Sequence, residues 1–99
     1  MTVEELRSEL ETIVSNLSAG GFGTIDPGLV EKLDIYSAAA GGLGMKEGKH
    51  LLENLSQIMK AIKDGKSSSE SGAIRLEALD FYTKKIAGGS IEDLSTEDL

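Results

Sequence analysis

The clearest helical pattern in the chain lies at residues 45–65, MKEGKHLLENLSQIMKAIKDG. Large aliphatic residues recur there at spacings of four, three and four, which places them on one face of an α-helix. The residues of this face are Leu51, Leu55, Ile58 and Ile62, with Leu52 and Met59 beside them. The pair Asp64-Gly65 is typical of a helix end, so a helix is predicted over residues 45–64.

The segments before this helix carry start signals of their own. Thr2 stands three residues before Glu5, which is the spacing of a capping box, and a first helix is predicted over residues 2–18. Asp26-Pro27 predicts the start of a second helix over residues 27–41, because aspartate caps the first turn and proline fits the first helical position.

A fourth helix is predicted over residues 70–87. Its apolar side comprises Ile74 (or Ala73), Leu76, Leu79, Tyr82 and Ile86, with Phe81 adjoining. No segment sustains the alternation of polar and apolar residues that a half-buried strand shows. Four helices joined by short connectors predict an all-α fold, an antiparallel up-and-down four-helix bundle.

Charge is distributed unevenly along the 99 residues. The chain has 17 acidic and 10 basic residues, a formal net charge of −7. Residues 1–88 are predicted to form the single bundle domain, and residues 89–99 a mobile acidic tail without a basic residue. The predicted first helix is acidic and the third basic, so the two could attract each other across the bundle.

The same composition limits the partners that we expect. An acidic chain is a poor match for nucleic acid and for anionic membrane surfaces, which attract basic proteins. No run approaches the roughly 20 apolar residues of a transmembrane helix, and the N-terminal sequence has no signal-peptide pattern. A cytoplasmic protein, monomeric or homodimeric, is therefore expected, with no membrane and no nucleic acid as partner.

Residue content also limits the possible chemistry. The chain has no cysteine and one histidine, which excludes thiolate metal sites and sites built on several histidines. Its carboxylates lack the EF-hand spacing, and no nucleophile elbow is present. We predict no metal, no cofactor and no enzymatic activity.

The single histidine, His50, stands four residues before Asn54, so both lie on one face of the predicted third helix. This spacing resembles the dimerisation helix of some sensor histidine kinases and phosphotransferases, in which the histidine is phosphorylated. The resemblance implies that His50 could accept a phosphoryl group. The alternative is a surface histidine beside the apolar face of its helix.

A wider resemblance covers residues 28–63. The segment LDIYSAAAGGLG, residues 33–44, resembles the central motif of histidine-containing phosphotransfer domains. That motif has an exposed histidine, a lysine three residues later, small residues, and a leucine-glycine turn into the next helix. The family forms up-and-down four-helix bundles that pass phosphoryl groups between response-regulator aspartates. Aligned on Leu43-Gly44, Asp34 stands where the histidine belongs and Ser37 where the lysine belongs.

The departure at Asp34 changes what the resemblance implies. A carboxylate repels an incoming phosphoryl group and cannot replace an imidazole as a relay. The implied function is a non-catalytic interaction domain that docks response-regulator-like partners. Its contact residues would be Asp34, Ser37, Ala38 and Gly41 on the second helix, and Lys46 and Lys49 on the third.

Three alternatives stay open. The small residues 38–44 could serve only to bring two helices close together. His50 could act in an active phosphorelay. The chain could also be a purely structural homodimer, paired through apolar residues at the edges of their helical faces, namely Val30, Leu52 and Phe81.

Overall fold

The computed structural model describes residues 1–23 and 25–87, and these form four α-helices without a strand. The helices are α1 (Val3–Gly20), α2 (Pro27–Gly42), α3 (Lys46–Lys63) and α4 (Ser69–Ala87). The predicted all-α four-helix bundle is confirmed, and each predicted boundary lies within two residues of the observed one. The predicted acidic tail, residues 89–99, lies outside the described residues.

Helices α1 and α2 begin at the capping residues from which their starts were predicted. Thr2 Oγ1 accepts a 3.1 Å hydrogen bond from the Glu5 N–H, while Glu5 Oε1 accepts one of 2.8 Å from the Thr2 N–H, which completes the capping box. Asp26 Oδ1 caps α2 by accepting from the Gly28 N–H at 3.0 Å. Between α2 and α3, Gly44 has φ +80°, a left-handed conformation that costs glycine little.

The core is built mainly from aliphatic side chains of all four helices. Its fully buried large residues include Leu6, Leu10, Leu33, Met45, Leu52, Leu55, Met59, Leu79 and Tyr82. Val30 and Leu52, proposed above as edge residues that could drive pairing, belong to this core and are not available to a second chain.

The buried face of α3 is rotated from the predicted one. Its fully buried positions are Gly48, Leu52, Leu55, Ser56 and Met59. The predicted face residues Leu51, Ile58 and Ile62 are only half-buried and pack at the margin of the core. The physical reason is that α3 packs against both α2 and α4, and its small residues Gly48 and Ser56 let those neighbours approach.

The apolar side of α4 is narrower than predicted. Leu76, Leu79, Tyr82 and Ile86 are buried as expected. Ile74 is 60% exposed, so its placement on the apolar side was wrong, whereas Phe81, predicted at the edge of that side, is 73% exposed. Residues two apart on a helix point about 200° apart, so Phe81 faces away from the side that buries Leu79.

Packing is most extensive between α2 and α3, followed by α3 with α4 and α1 with α4. Helix α1 touches α2 at few positions and makes no extensive contact with α3. The expected attraction between the acidic α1 and the basic α3 therefore has no interface on which to act. Within the described residues, no helix combines the length and apolar content needed to cross a bilayer.

Candidate functional site

Five of the six predicted contact residues lie together on one surface, which we call the α2–α3 face. They are Asp34, Ala38 and Gly41 on α2, and Lys46 and Lys49 on α3, all exposed or half-buried. The sixth, Ser37, is buried, and its Oγ donates a long hydrogen bond of 3.5 Å to the Lys49 carbonyl. Ser37 therefore joins the two helices and is out of a partner's reach.

Asp34 is held against α3 by two contacts. Its Oδ1 accepts a 2.8 Å hydrogen bond from Ser56 Oγ, and its Oδ2 lies 3.6 Å from Lys60 Nζ. Ser56 is only 2% exposed, so the carboxylate satisfies a hydroxyl that has been removed from water. The Asp34–Lys60 ion pair is half open to solvent, and such pairs add little to stability. The carboxylate is thus fixed in position while one side still faces water.

Lys49 crosses α2 at Gly41. A Cβ on Gly41 would lie 3.1 Å from Lys49 Cδ and 3.5 Å from Lys49 Cε, so the missing side chain makes room for the alkyl chain of the lysine. The ammonium group then lies 3.6 Å from Glu53 Oε2. Ala38, about one turn before Gly41, is exposed.

The α2–α3 face is consequently a shallow surface of small residues with charges at defined places. One border is formed by the Asp34–Lys60 pair and another by the Lys49–Glu53 pair. Lys46 is exposed near the start of α3 and makes no ion pair with a residue in the described part of the chain.

His50 stands at the edge of this face. Its side chain is 75% exposed, and its Nδ1 lies 3.8 Å from Glu53 Oε1, so it shares that carboxylate with Lys49. Asn54 is also exposed, and it lines a small cavity of about 140 Å³ with Gln57, Ile58 and Arg75. The imidazole is therefore accessible, with the Glu53 carboxylate within 4 Å of it.

One polar contact between α1 and α2 was not predicted from the sequence. The Tyr36 hydroxyl donates a 2.9 Å hydrogen bond to Glu9 Oε1. Burial raises the pKa of Tyr36 above its ordinary value of 10.0, and the hydrogen bond to Glu9 and the negative charge of that residue raise it further. The available signal was the tyrosine in the apolar face of α2, because a buried tyrosine usually finds a partner for its hydroxyl.

In residues 1–23 and 25–87, no three histidine or carboxylate side chains gather where they could hold a metal ion. Comparison of the chain with protein-family models, curated proteins and solved structures found no match.

Proposed function

We propose that this chain is a non-catalytic protein-interaction domain that docks a receiver-like partner through the α2–α3 face. The observation that carries the proposal is the exposed position of Ala38 and Gly41, with the Lys49 side chain laid across the glycine. The lysine occupies the space over Gly41, so Ala38 is the exposed small residue at which a partner can approach the helix closely.

The charges around these small residues support a defined docking orientation. Lys46 and Lys49 are cations at the start of α3, and Asp34 with Lys60 lies further along the face. Charges placed across an interface set orientation and association rate more than affinity. Two lysines complement a partner surface that carries the phosphorylatable aspartate of a response regulator.

The surroundings of Asp34 favour docking of a partner without transfer of a phosphoryl group. In the resemblance, this residue occupies the place of the phosphoacceptor histidine. Its carboxylate is already engaged by Ser56 and Lys60, and its negative charge disfavours a phosphoryl group at the same place. A receiver seated on this face would find no phosphoacceptor imidazole at position 34.

The test is a chemical-shift titration of the isotope-labelled full chain with purified receiver domains, each free and bound to beryllofluoride. Shifts are expected at residues 34–50 and at Glu53 and Lys60, which border the same face. Ala38→Arg should abolish them, whereas Ala78→Arg should not, because Ala78 is an exposed alanine on α4 and adds the same charge and bulk elsewhere. An absence of shifts at residues 34–50 with every receiver, or unchanged binding by Ala38→Arg, would refute the proposal.

Phosphorelay through His50 is the second candidate, favoured by the high exposure of its imidazole. It would require an acid-labile phosphate on His50 after incubation with phosphoramidate, absent from His50→Gln. Small-molecule phosphodonors such as phosphoramidate label many exposed histidines. The decisive measurement is therefore transfer of the phosphoryl group from His50 to a receiver aspartate. Observed transfer would replace the non-catalytic proposal, and labelled protein that retains its phosphate would exclude the relay.

A further inference from the structure

A second surface lies between the end of α1 and the first half of α4, and we call it the α1–α4 groove. An open cavity of about 820 Å³ occupies it. Its floor is apolar, formed by the buried side chains of Leu17, Phe22 and Leu76. Ile74 stands on its rim with 60% of its surface exposed.

The charged groups that line the α1–α4 groove are all acidic. They are Glu70, Glu77 and Asp80, and no lysine or arginine lines the cavity. Asp80 Oδ2 lies 3.2 Å from Lys84 Nζ, whereas Glu70 and Glu77 make no ion pair with any described residue. The groove therefore combines an apolar floor with uncompensated negative charge at its edge.

The apolar surface continues along α4 beyond the cavity. Phe81 is 73% exposed and follows Ile74 by seven residues, so the two lie on the same face of the helix with Glu77 between them. This row of apolar, acidic and apolar residues spans about 10 Å at 1.5 Å per residue. Its shape matches an elongated ligand lying along α4.

We infer that the α1–α4 groove binds an amphipathic helix of a partner protein, with lysine or arginine residues flanking its apolar side. Helices of this type insert their apolar face into a groove and are recognised by anchor residues at helical spacing. Cations at the edge of such a helix would meet Glu70 and Glu77, and this charge complementarity selects it over a neutral or acidic helix.

Charge also decides against the two occupants that the chain itself could supply. Residues 88–99 contain four carboxylates and no basic residue, so they would be repelled by the acidic rim. A second copy offers its basic helix α3, but the large apolar residues of α3 are buried or half-buried in its own bundle. Neither presents an apolar face with basic flanks.

The test uses a synthetic leucine–lysine peptide with leucines at helical spacing, labelled for fluorescence anisotropy, and the full chain. A leucine–glutamate peptide of the same pattern controls for charge. We expect the lysine peptide to bind, the glutamate peptide not to bind, and chemical shifts to move at Leu17, Phe22 and Ile74. Shifts at the α2–α3 face alone would overturn the inference and leave the proposed function untouched.

Matched variants localise the binding. Ile74→Ser should weaken it about tenfold, or about 1.4 kcal/mol, whereas Ile35→Ser should not, because Ile35 is an equally exposed isoleucine on α2. Glu77→Gln should weaken it and reduce its salt dependence, in contrast to Glu31→Gln, which removes the same charge on α2. Equal effects of Ile74→Ser and Ile35→Ser would overturn the inference. So would a dimer of the free protein that Ile74→Ser dissociates, because the occupant would then be a second copy.

Discussion

Gly48 on α3 lies so close to Tyr82 on α4 that a Cβ at the glycine would stand 2.8 Å from the tyrosine hydroxyl oxygen. The same Cβ would stand 3.0 Å from the ring carbons Cε2 and Cζ, and both residues are buried. The backbone of α3 therefore packs directly on the tyrosine ring. This contact accounts for a glycine inside a helix, where it costs about 1 kcal/mol relative to alanine.

Gly48→Ala should accordingly destabilise the bundle. The cost of forcing a methyl group into packed space is about 1–3 kcal/mol, which outweighs the helix-propensity gain of about 1 kcal/mol. Urea unfolding would measure the difference. Gly20→Ala is the matched control, because a Cβ at the last residue of α1 meets nothing within 4 Å and should leave stability unchanged or slightly higher. A stabilised Gly48→Ala would contradict the close approach.

The Tyr36–Glu9 hydrogen bond predicts a loss of stability at alkaline pH. The pKa of Tyr36 is raised in the folded chain, first by burial and then by Glu9, so the folded state holds the phenolic proton more tightly than the unfolded state does. Its contribution to the free energy of unfolding is complete below pH 10.0, the ordinary pKa of tyrosine, and is lost as the pH rises through the folded pKa.

Tyr36→Phe separates this effect from other alkaline titrations. All other titratable side chains are common to both proteins, so the difference between their stability–pH curves reports on Tyr36. At neutral pH the variant should be less stable by about 1 kcal/mol, the net worth of a hydrogen bond. Above pH 10.0 its curve should fall less steeply than that of the wild type. Parallel curves would rule out a raised pKa.

At Asp34, the hydrogen bond from Ser56 should matter more for stability than the ion pair with Lys60. Asp34→Ala leaves a buried hydroxyl without this acceptor and should cost about 1–2 kcal/mol. Adding Ser56→Ala should recover part of that loss, which a double-mutant cycle measures directly. Lys60→Ala should cost under about 1 kcal/mol, because the pair is solvent-exposed. A larger loss of stability in Lys60→Ala than in Asp34→Ala would contradict this prediction.

Helix limits were predictable because their causes are local. The capping box at Thr2 and Glu5 and the left-handed glycine at Gly44 act within a few residues of themselves. The buried face of α3 depends instead on which helices flank it. Leu51 and Leu52 look alike in the sequence, but Leu52 is fully buried and Leu51 is only half-buried.

The candidate site likewise has features that follow from local sequence and features that depend on how the helices pack. The grouping of Ala38 and Gly41 on one helix surface follows from their spacing. The burial of Ser37 does not, and neither does the bond between Asp34 and Ser56, which lie 22 residues apart. The α1–α4 groove could not be predicted, because it arises from the distance between two helices at opposite ends of the described chain.

Two residues of α4 test how this helix is oriented. Phe81 is 73% exposed and Leu79 is fully buried, although both are large, apolar and only two positions apart. Leu79→Ala should destabilise the bundle by about 2–5 kcal/mol through the cavity that it leaves, whereas Phe81→Ala should change stability by less than about 0.5 kcal/mol. Thermal unfolding followed by circular dichroism would measure both.

The Phe81→Ala variant also tests the alternative that the chain is a structural homodimer. If Phe81 joined two chains, the unfolding temperature of the wild type would rise with protein concentration, because association stabilises the folded state by mass action. Phe81→Ala would then remove that dependence together with a measurable part of the stability. A concentration-independent unfolding temperature, with Phe81→Ala equal to wild type, would exclude pairing through this residue. It would leave the exposed face of α4 available to a different partner.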